Sequence, residues 1–263
     1  MMNLEACDLS VSRGALAVIR NFSHKVEDGS FVVIAGENGA GKTSLLKSLS
    51  GQIPARGGSV FLRGRNILQI PAHDLAKMRS FLAQQTECRL PFTVFEVVLL
   101  GAEAAGVRGA AARTLALDSL EATGVRHLRD RVISELSGGE QQRVHWARTL
   151  AQMGREPERH LLFLDEPVSS LDIAHQHQLL SGAKALTRGG ATVVAVLHDL
   201  NLVSRYADQI VLLHEGRAAG IGSPSEVLTP ALIKRVFQFS ARVIANPVDH
   251  TRLVLPELPG EGI

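Results

Sequence analysis

The chain has 263 residues, 45% of them hydrophobic and 21% charged, with a formal net charge of +2. That length can bury a core in one large domain or two small ones, and the near-balanced charge gives no electrostatic reason to expect nucleic acid as a partner. No apolar run approaches the ~20 residues of a membrane-spanning helix, the start Met-Met-Asn-Leu-Glu-Ala lacks the basic-then-apolar form of a signal peptide, and Cys7 and Cys88 have no metal-ligand spacing. The expectation is a cytosolic protein with two reduced thiols, whose membrane work would need a partner.

Residues 3–35 and 57–67 alternate polar and apolar side chains between the turn residues Asp28-Gly29, Arg56-Gly57-Gly58 and Gly64. This predicts an antiparallel, half-exposed sheet beside the strand Phe31–Ala35. Thr93-Val94-Phe95-Glu96 is a capping box and predicts a short helix before Gly101. An alanine- and leucine-rich helix over 109–123 stops at Gly124, and a third runs from Gly138-Gly139 to about Met153. Together they predict an α-helical subdomain over 87–156. The runs Leu161–Leu164, Thr192–Leu197 and Ile210–Leu213 are continuously apolar, as strands of a parallel sheet buried on both faces are. Glu215-Gly216 joins two short strands. Ser223-Pro224 and Thr229-Pro230 each place a cap before a proline at the first helical position. Residues 249–263 read as a strand and a loose tail. The fold class is α/β, with a discontinuous core over 1–86 and 157–263.

The wholly apolar strand Phe31-Val32-Val33-Ile34-Ala35 leads into Gly36-Glu37-Asn38-Gly39-Ala40-Gly41-Lys42-Thr43, and Ser44-Leu45-Leu46-Lys47-Ser48-Leu49 has a helical pattern. Strand, glycine-rich loop and helix are the context a phosphate-binding loop requires. Glycines let backbone N–H groups converge on phosphate oxygens, and the helix adds its positive end. Lys42 reaches outer phosphates and the Thr43 hydroxyl suits Mg²⁺. A nucleoside triphosphate is the expected ligand.

Leu136-Ser137-Gly138-Gly139-Glu140 opens a helix. On its own Ser-Gly-Gly caps a helix; the hydroxyl and two glycine N–H groups at a helix start also make an anion site. Its distance from the phosphate loop favours the second reading. The loop and this segment together resemble ABC-type ATPases, over nearly the whole chain. The resemblance implies a P-loop NTPase core with an antiparallel β subdomain and an α-helical signature subdomain, binding ATP and Mg²⁺. It also implies a head-to-tail dimer in which Ser137, Gly138, Gly139 and Glu140 face the γ-phosphate held by the second copy. The family's commonest fifth residue is Gln, where Glu140 stands.

His160–Pro167 is an apolar strand ending in Asp165-Glu166, a costly burial of two acids unless charge is supplied. By resemblance to the Walker B motif, Asp165 ligates Mg²⁺ and Glu166 is the general base. Ser169-Ser170-Leu171-Asp172 matches the D-loop at the dimer interface, and Asp172 also caps a helix from Ile173 to Leu186. His198, closing Leu197-His198-Asp199, matches the switch histidine. Gln84 matches the Q-loop, a Mg²⁺ contact, with Gln85 as the alternative. The family usually stacks an aromatic ring on adenine; Arg13 stands there, with a guanidinium plane that stacks as well.

The stretch 198–208 resembles importers of iron chelates, haem and cobalamin. Leu90–Val98, Leu171–His177 and the link Gly154–Arg159 resemble the haem-importer ATPases in particular. That implies a separate two-subunit transmembrane permease and, indirectly, a periplasmic or surface substrate-binding protein, with this chain peripheral at the cytoplasmic face of the inner (plasma) membrane. His175 and His177 point to different faces of a helix and cannot share one iron, so direct haem binding is not expected. The alternatives are a ferric siderophore or cobalamin importer and a soluble ABC ATPase. A P-loop kinase would leave Leu136–Glu140 and His198 unexplained.

Overall fold

In the computed structural model the described residues are 4–84, 91–154, 158 and 160–257. Cys88, Gln85, Leu90, most of the link before Walker B, the end of the tail and the expected subdomain boundaries at 86/87 and 156/157 lie outside them. In chain order the elements are β1 (Leu4–Arg13), β2 (Leu16–Val26), β3 (Phe31–Gly36), α1 (Lys42–Leu49), β4 (Gly57–Leu62), β5 (Arg65–Asn66), α2 (Ala72–Met78), β6 (Arg79–Leu82), α3 (Val94–Ala104), α4 (Gly109–Ala122), α5 (Gly138–Met153), β7 (Leu161–Asp165), α6 (Ile173–Arg188) and β8 (Thr192–Val196). They continue as α7 (Leu200–Tyr206), β9 (Gln209–His214), β10 (Arg217–Gly222), α8 (Pro224–Val227), α9 (Pro230–Phe237), β11 (Ala241–Ala245) and β12 (Arg252–Pro256). The chain forms two compact units, residues 1–68 with 194–263, and residues 69–193.

The first unit holds the expected antiparallel sheet, in the order β2-β1-β4-β5. Its strands alternate buried and open positions, as a sheet with one wet face does. Residues 31–35 do not share that alternation. All six residues of β3 are buried, and β3 pairs in parallel with β9, Ile34 opposite Val211. Asp208 starts this ladder: its Oδ2 accepts from Phe31 N and its own N–H donates to Phe31 O, each at 2.8 Å. Beyond β9 the chain turns through Glu215-Gly216 into antiparallel β10. The C-terminal hairpin β11–β12 was not anticipated beyond its second strand. It is held to α7, where Asn201 Oδ1 accepts from Val254 N at 2.8 Å and Ser204 Oγ from Arg252 N at 2.7 Å.

In the second unit β6 and β7 pair in parallel, with Phe81 and Phe163 stacked at 6.3 Å. Helices α3, α4 and α5 enclose their own core. Val94, Val97 and Val98 on α3, Leu115, Ala116 and Leu120 on α4, and Val144, Ala147 and Ala151 on α5 are buried together at helical spacing. The capping box at Thr93 forms as expected, but α3 does not stop before Gly101; it runs through it to Ala104. A Cβ at Gly101 would lie 2.2 Å from the Arg148 carbonyl oxygen. Glycine serves there to let two helix backbones approach, not to end a helix.

Candidate functional site

The phosphate loop sits between two strands of its own unit. Gly36 has φ +147°, and a Cβ there would meet the Leu213 carbonyl at 2.2 Å; at Gly41 (φ +96°) it would meet the Val18 carbonyl at 2.6 Å. Side chains at either position would push the loop off β9 or β2. Ala40 N donates to Glu37 O at 3.3 Å, closing the turn. Lys42 is 6% exposed, and its Nζ donates to the carbonyls of Gly36 at 2.9 Å and Glu37 at 2.8 Å. The ammonium is thereby held inside the curve of the loop. Gly41 caps α1 with no side chain, so the helix start presents backbone donors together with Thr43 and Ser44. Asn38 and Gly39 are exposed. The Glu37 carboxylate lies 2.8 Å from His214 Nδ1, a tie across β9 that sequence reasoning missed.

His198 also belongs to the first unit. It is exposed, and buried Leu197 separates it from the end of β8. Asp199 next to it caps α7, accepting from Asn201 N at 2.7 Å and Leu202 N at 3.2 Å. The segment after His198 is thus fixed by its own cap and by the grip of α7 on β12.

In the second unit, all five residues of β7 are buried, and Asp165 at its end is 2% exposed. Glu166 follows at φ +48°, a left-handed conformation that is costly for a residue with a side chain. It turns the carboxylate out of the strand direction. Gln84 Nε2 donates to Glu166 Oε2 at 2.7 Å, which leaves the amide Oε1 as an acceptor. The D-loop is pinned from several sides: Ser169 Oγ donates to Glu166 O at 3.2 Å, Gln142 Nε2 to Pro167 O at 3.0 Å and Gln176 Nε2 to Leu171 O at 2.9 Å.

The signature segment starts α5 with a full capping box, Ser137 Oγ accepting from Glu140 N and Glu140 Oε2 accepting from Ser137 N. Those contacts with Ser137 lower the Glu140 pKa, the side-chain bond most. Ser137 and Gly138 are exposed, so the positive end of α5 is open to an anion. Asp172 caps α6, and its pKa is lowered first by the His175 N–H and then by the His175 ring.

Hard oxygen donors suit Mg²⁺, and the structure offers them in each unit: the Thr43 hydroxyl in one, the buried Asp165 carboxylate and the Gln84 amide in the other. Among the described residues, no cluster of three His, Cys, Asp or Glu side chains could hold a metal unaided. Nor is any described helix long and apolar enough to cross a membrane.

The sequence profile of the ABC transporter family matches residues 19–169. The hemin import ATP-binding protein of Rhodopseudomonas palustris (strain BisA53) is 42% identical over 259 residues, covering 97% of this chain and 94% of that protein. The protein of the same name from Photobacterium damselae subsp. damselae is 38% identical over 252 residues, covering 96% and 95%. A dimeric bacterial ABC transporter cassette superposes with a TM-score of 0.74 at 25% identity, over 84% of this chain and 98% of that one. The α/β fold is that of these ATPase cassettes, and the chain belongs to the ABC transporter family.

Proposed function

We propose that this chain is the ATP-hydrolysing subunit of a haem importer. Two copies would work head-to-tail on a separate two-subunit permease, peripheral to the cytoplasmic face of the membrane. Similarity along 97% of the chain to a protein named for hemin import carries the cargo assignment. A binding protein outside the membrane would deliver haem to the permease, and this subunit would not touch it.

In this reading Lys42 and the backbone donors of residues 39–43 hold the outer phosphates of ATP. Thr43, Asp165 and Gln84 would supply oxygens for Mg²⁺. Bound there, the cation would neutralise charge on the β- and γ-phosphates. Glu166 accepts a proton from water as the water oxygen bonds to the γ-phosphorus and the bond to the β–γ bridging oxygen breaks. Gln84 orients that carboxylate, and His198 holds the γ-phosphate and the water. Ser137, Gly138, Gly139 and Glu140 complete the site of the other copy, with Ser169 and Asp172 across the contact. We also infer that 87–156 is the helical signature subdomain, and that permease loops seat near Gln84 and residues 88–101.

The test is Glu166→Gln. The variant should form an ATP-dependent dimer on size-exclusion chromatography while turnover falls by about 10²–10⁴. Normal ATPase activity in it would overturn the assignment.

A further inference from the structure

One face of α5 lies along the D-loop and the start of α6. Gly139, Gln142, Arg143 and Trp146 recur at helical spacing on that face. A Cβ at Gly139 would lie 3.2 Å from Ser170 O, Gln142 bonds Pro167 O at 3.0 Å, and Trp146 lies against Gly182. Between these backbone contacts stands a chain of three ionisable side chains. Arg143 Nη1 meets His175 Nε2 at 2.5 Å, and His175 Nδ1 meets both carboxylate oxygens of Asp172 at 2.8 Å.

Proton count fixes the roles. Arginine is always protonated and has only donors to offer, so Nε2 must accept. The single ring proton of neutral imidazole then sits on Nδ1 and is donated to Asp172. A second proton, on Nε2, would set donor against donor and one positive charge against another. The charged groups that bond to the ring are Asp172, at the cap of its own helix, and Arg143 on α5. Gln178 and Trp146, which line the same cleft, carry no charge.

We propose that Arg143 and His175 are positioning residues. The neutral imidazole locks the D-loop aspartate to the signature helix, so that both present one fixed surface to the second copy. Resting as it does on the ATP-driven dimer proposed above, the clasp makes dimer closure sensitive to pH: a proton on Nε2 of His175 releases Arg143 while Asp172 keeps its bond to the ring, so the D-loop is untied from the signature helix. A buttress of purely structural kind would carry no such dependence.

The experiment uses full-length Glu166→Gln protein, whose ATP-dependent dimer is measured by analytical ultracentrifugation between pH 6 and pH 8. As pH falls across that range, where imidazoles titrate, the dimer should weaken by about tenfold. Adding His175→Asn, which keeps a donor for Asp172 but has no ring to titrate, should flatten the profile. His175→Gln is the second variant, and ATP binding by the monomer checks that each is folded. In parallel, the imidazole ¹⁵N spectrum of the wild-type chain at pH 8 should show the proton on Nδ1. A dimer whose pH dependence survives His175→Asn, or a ring protonated on Nε2 alone, overturns the clasp and leaves the assigned function standing. A Glu166→Gln protein that stays monomeric with ATP at every pH overturns both.

Discussion

Gln84 and Glu166 are joined by a hydrogen bond of 2.7 Å, amide donor to carboxylate acceptor. One lies just beyond β6 and the other just beyond β7, and these strands pair in parallel, so the two residues sit at the same end of adjacent strands. A general base needs an orienting partner as much as it needs reach. With Glu166 as the proposed general base, Gln84→Ala should lower kcat by about tenfold or more, less than Glu166→Gln does, because the carboxylate would remain without its orienting amide. Steady-state ATPase assays of the two variants decide this; an unchanged kcat in Gln84→Ala would show that the bond has no part in turnover.

Gly101 tests the packing of the helical core. A methyl group placed 2.2 Å from the Arg148 carbonyl must push α3 away from α5, since backbone cannot step aside as a side chain tip can. Gly101→Ala should destabilise the protein by about 1–3 kcal/mol, seen as a lower urea midpoint. Were Gly101 only a helix stop, the same change would be neutral or stabilising.

His24 gives stability a pH dependence near neutrality. Burial lowers its pKa, against the opposing bond with Gln209, whose Oε1 lies 2.8 Å from Nε2. The native state therefore favours the neutral ring and binds fewer protons than the unfolded chain, where the pKa is about 6.5. Its contribution is present above that value and is lost as pH falls through the depressed native one. His24→Gln should flatten the decline in urea midpoint just below pH 6.5.

Adenine recognition is expected to separate from phosphate recognition. Arg13 ends β1 opposite Leu16 of β2, and both side chains are exposed, whereas Lys42 is buried within its loop. Nucleotide titration should show Arg13→Ala weakening ATP binding by less than about tenfold and Lys42→Ala by far more; a point charge on phosphate outweighs a solvated stacking contact. Equal losses would make Arg13 the principal adenine anchor.

Local chemistry was readable from the chain. The capping box at Thr93 and the caps at Ser223, Thr229 and Asp172 are written within three or four residues and form where the sequence puts them, whereas the box that Glu140 closes with Ser137 went unread. Strands β7, β8 and β9 declare themselves as unbroken apolar runs. What escaped depends on residues far apart. Nothing near Gly101 reveals Arg148 against it, and a glycine at a helix end looks the same as one at a helix crossing. Glu37 with His214, Arg143 with His175 and Asn201 with Val254 are brought together by the fold alone. Segment 72–82 was missed for a different reason: α2 has seven residues and β6 four, too few for a periodic pattern to stand out.

Haem import through a partner permease is tested most directly by ATPase rate in sealed vesicles that hold this chain with its co-expressed permease, while haem-loaded and siderophore-loaded binding proteins are added in turn. Stimulation by the haem-loaded protein alone is the predicted result. Stimulation by the siderophore-loaded protein instead would keep the hydrolytic mechanism and reject haem as cargo, and failure to assemble with any permease would contradict the importer role itself.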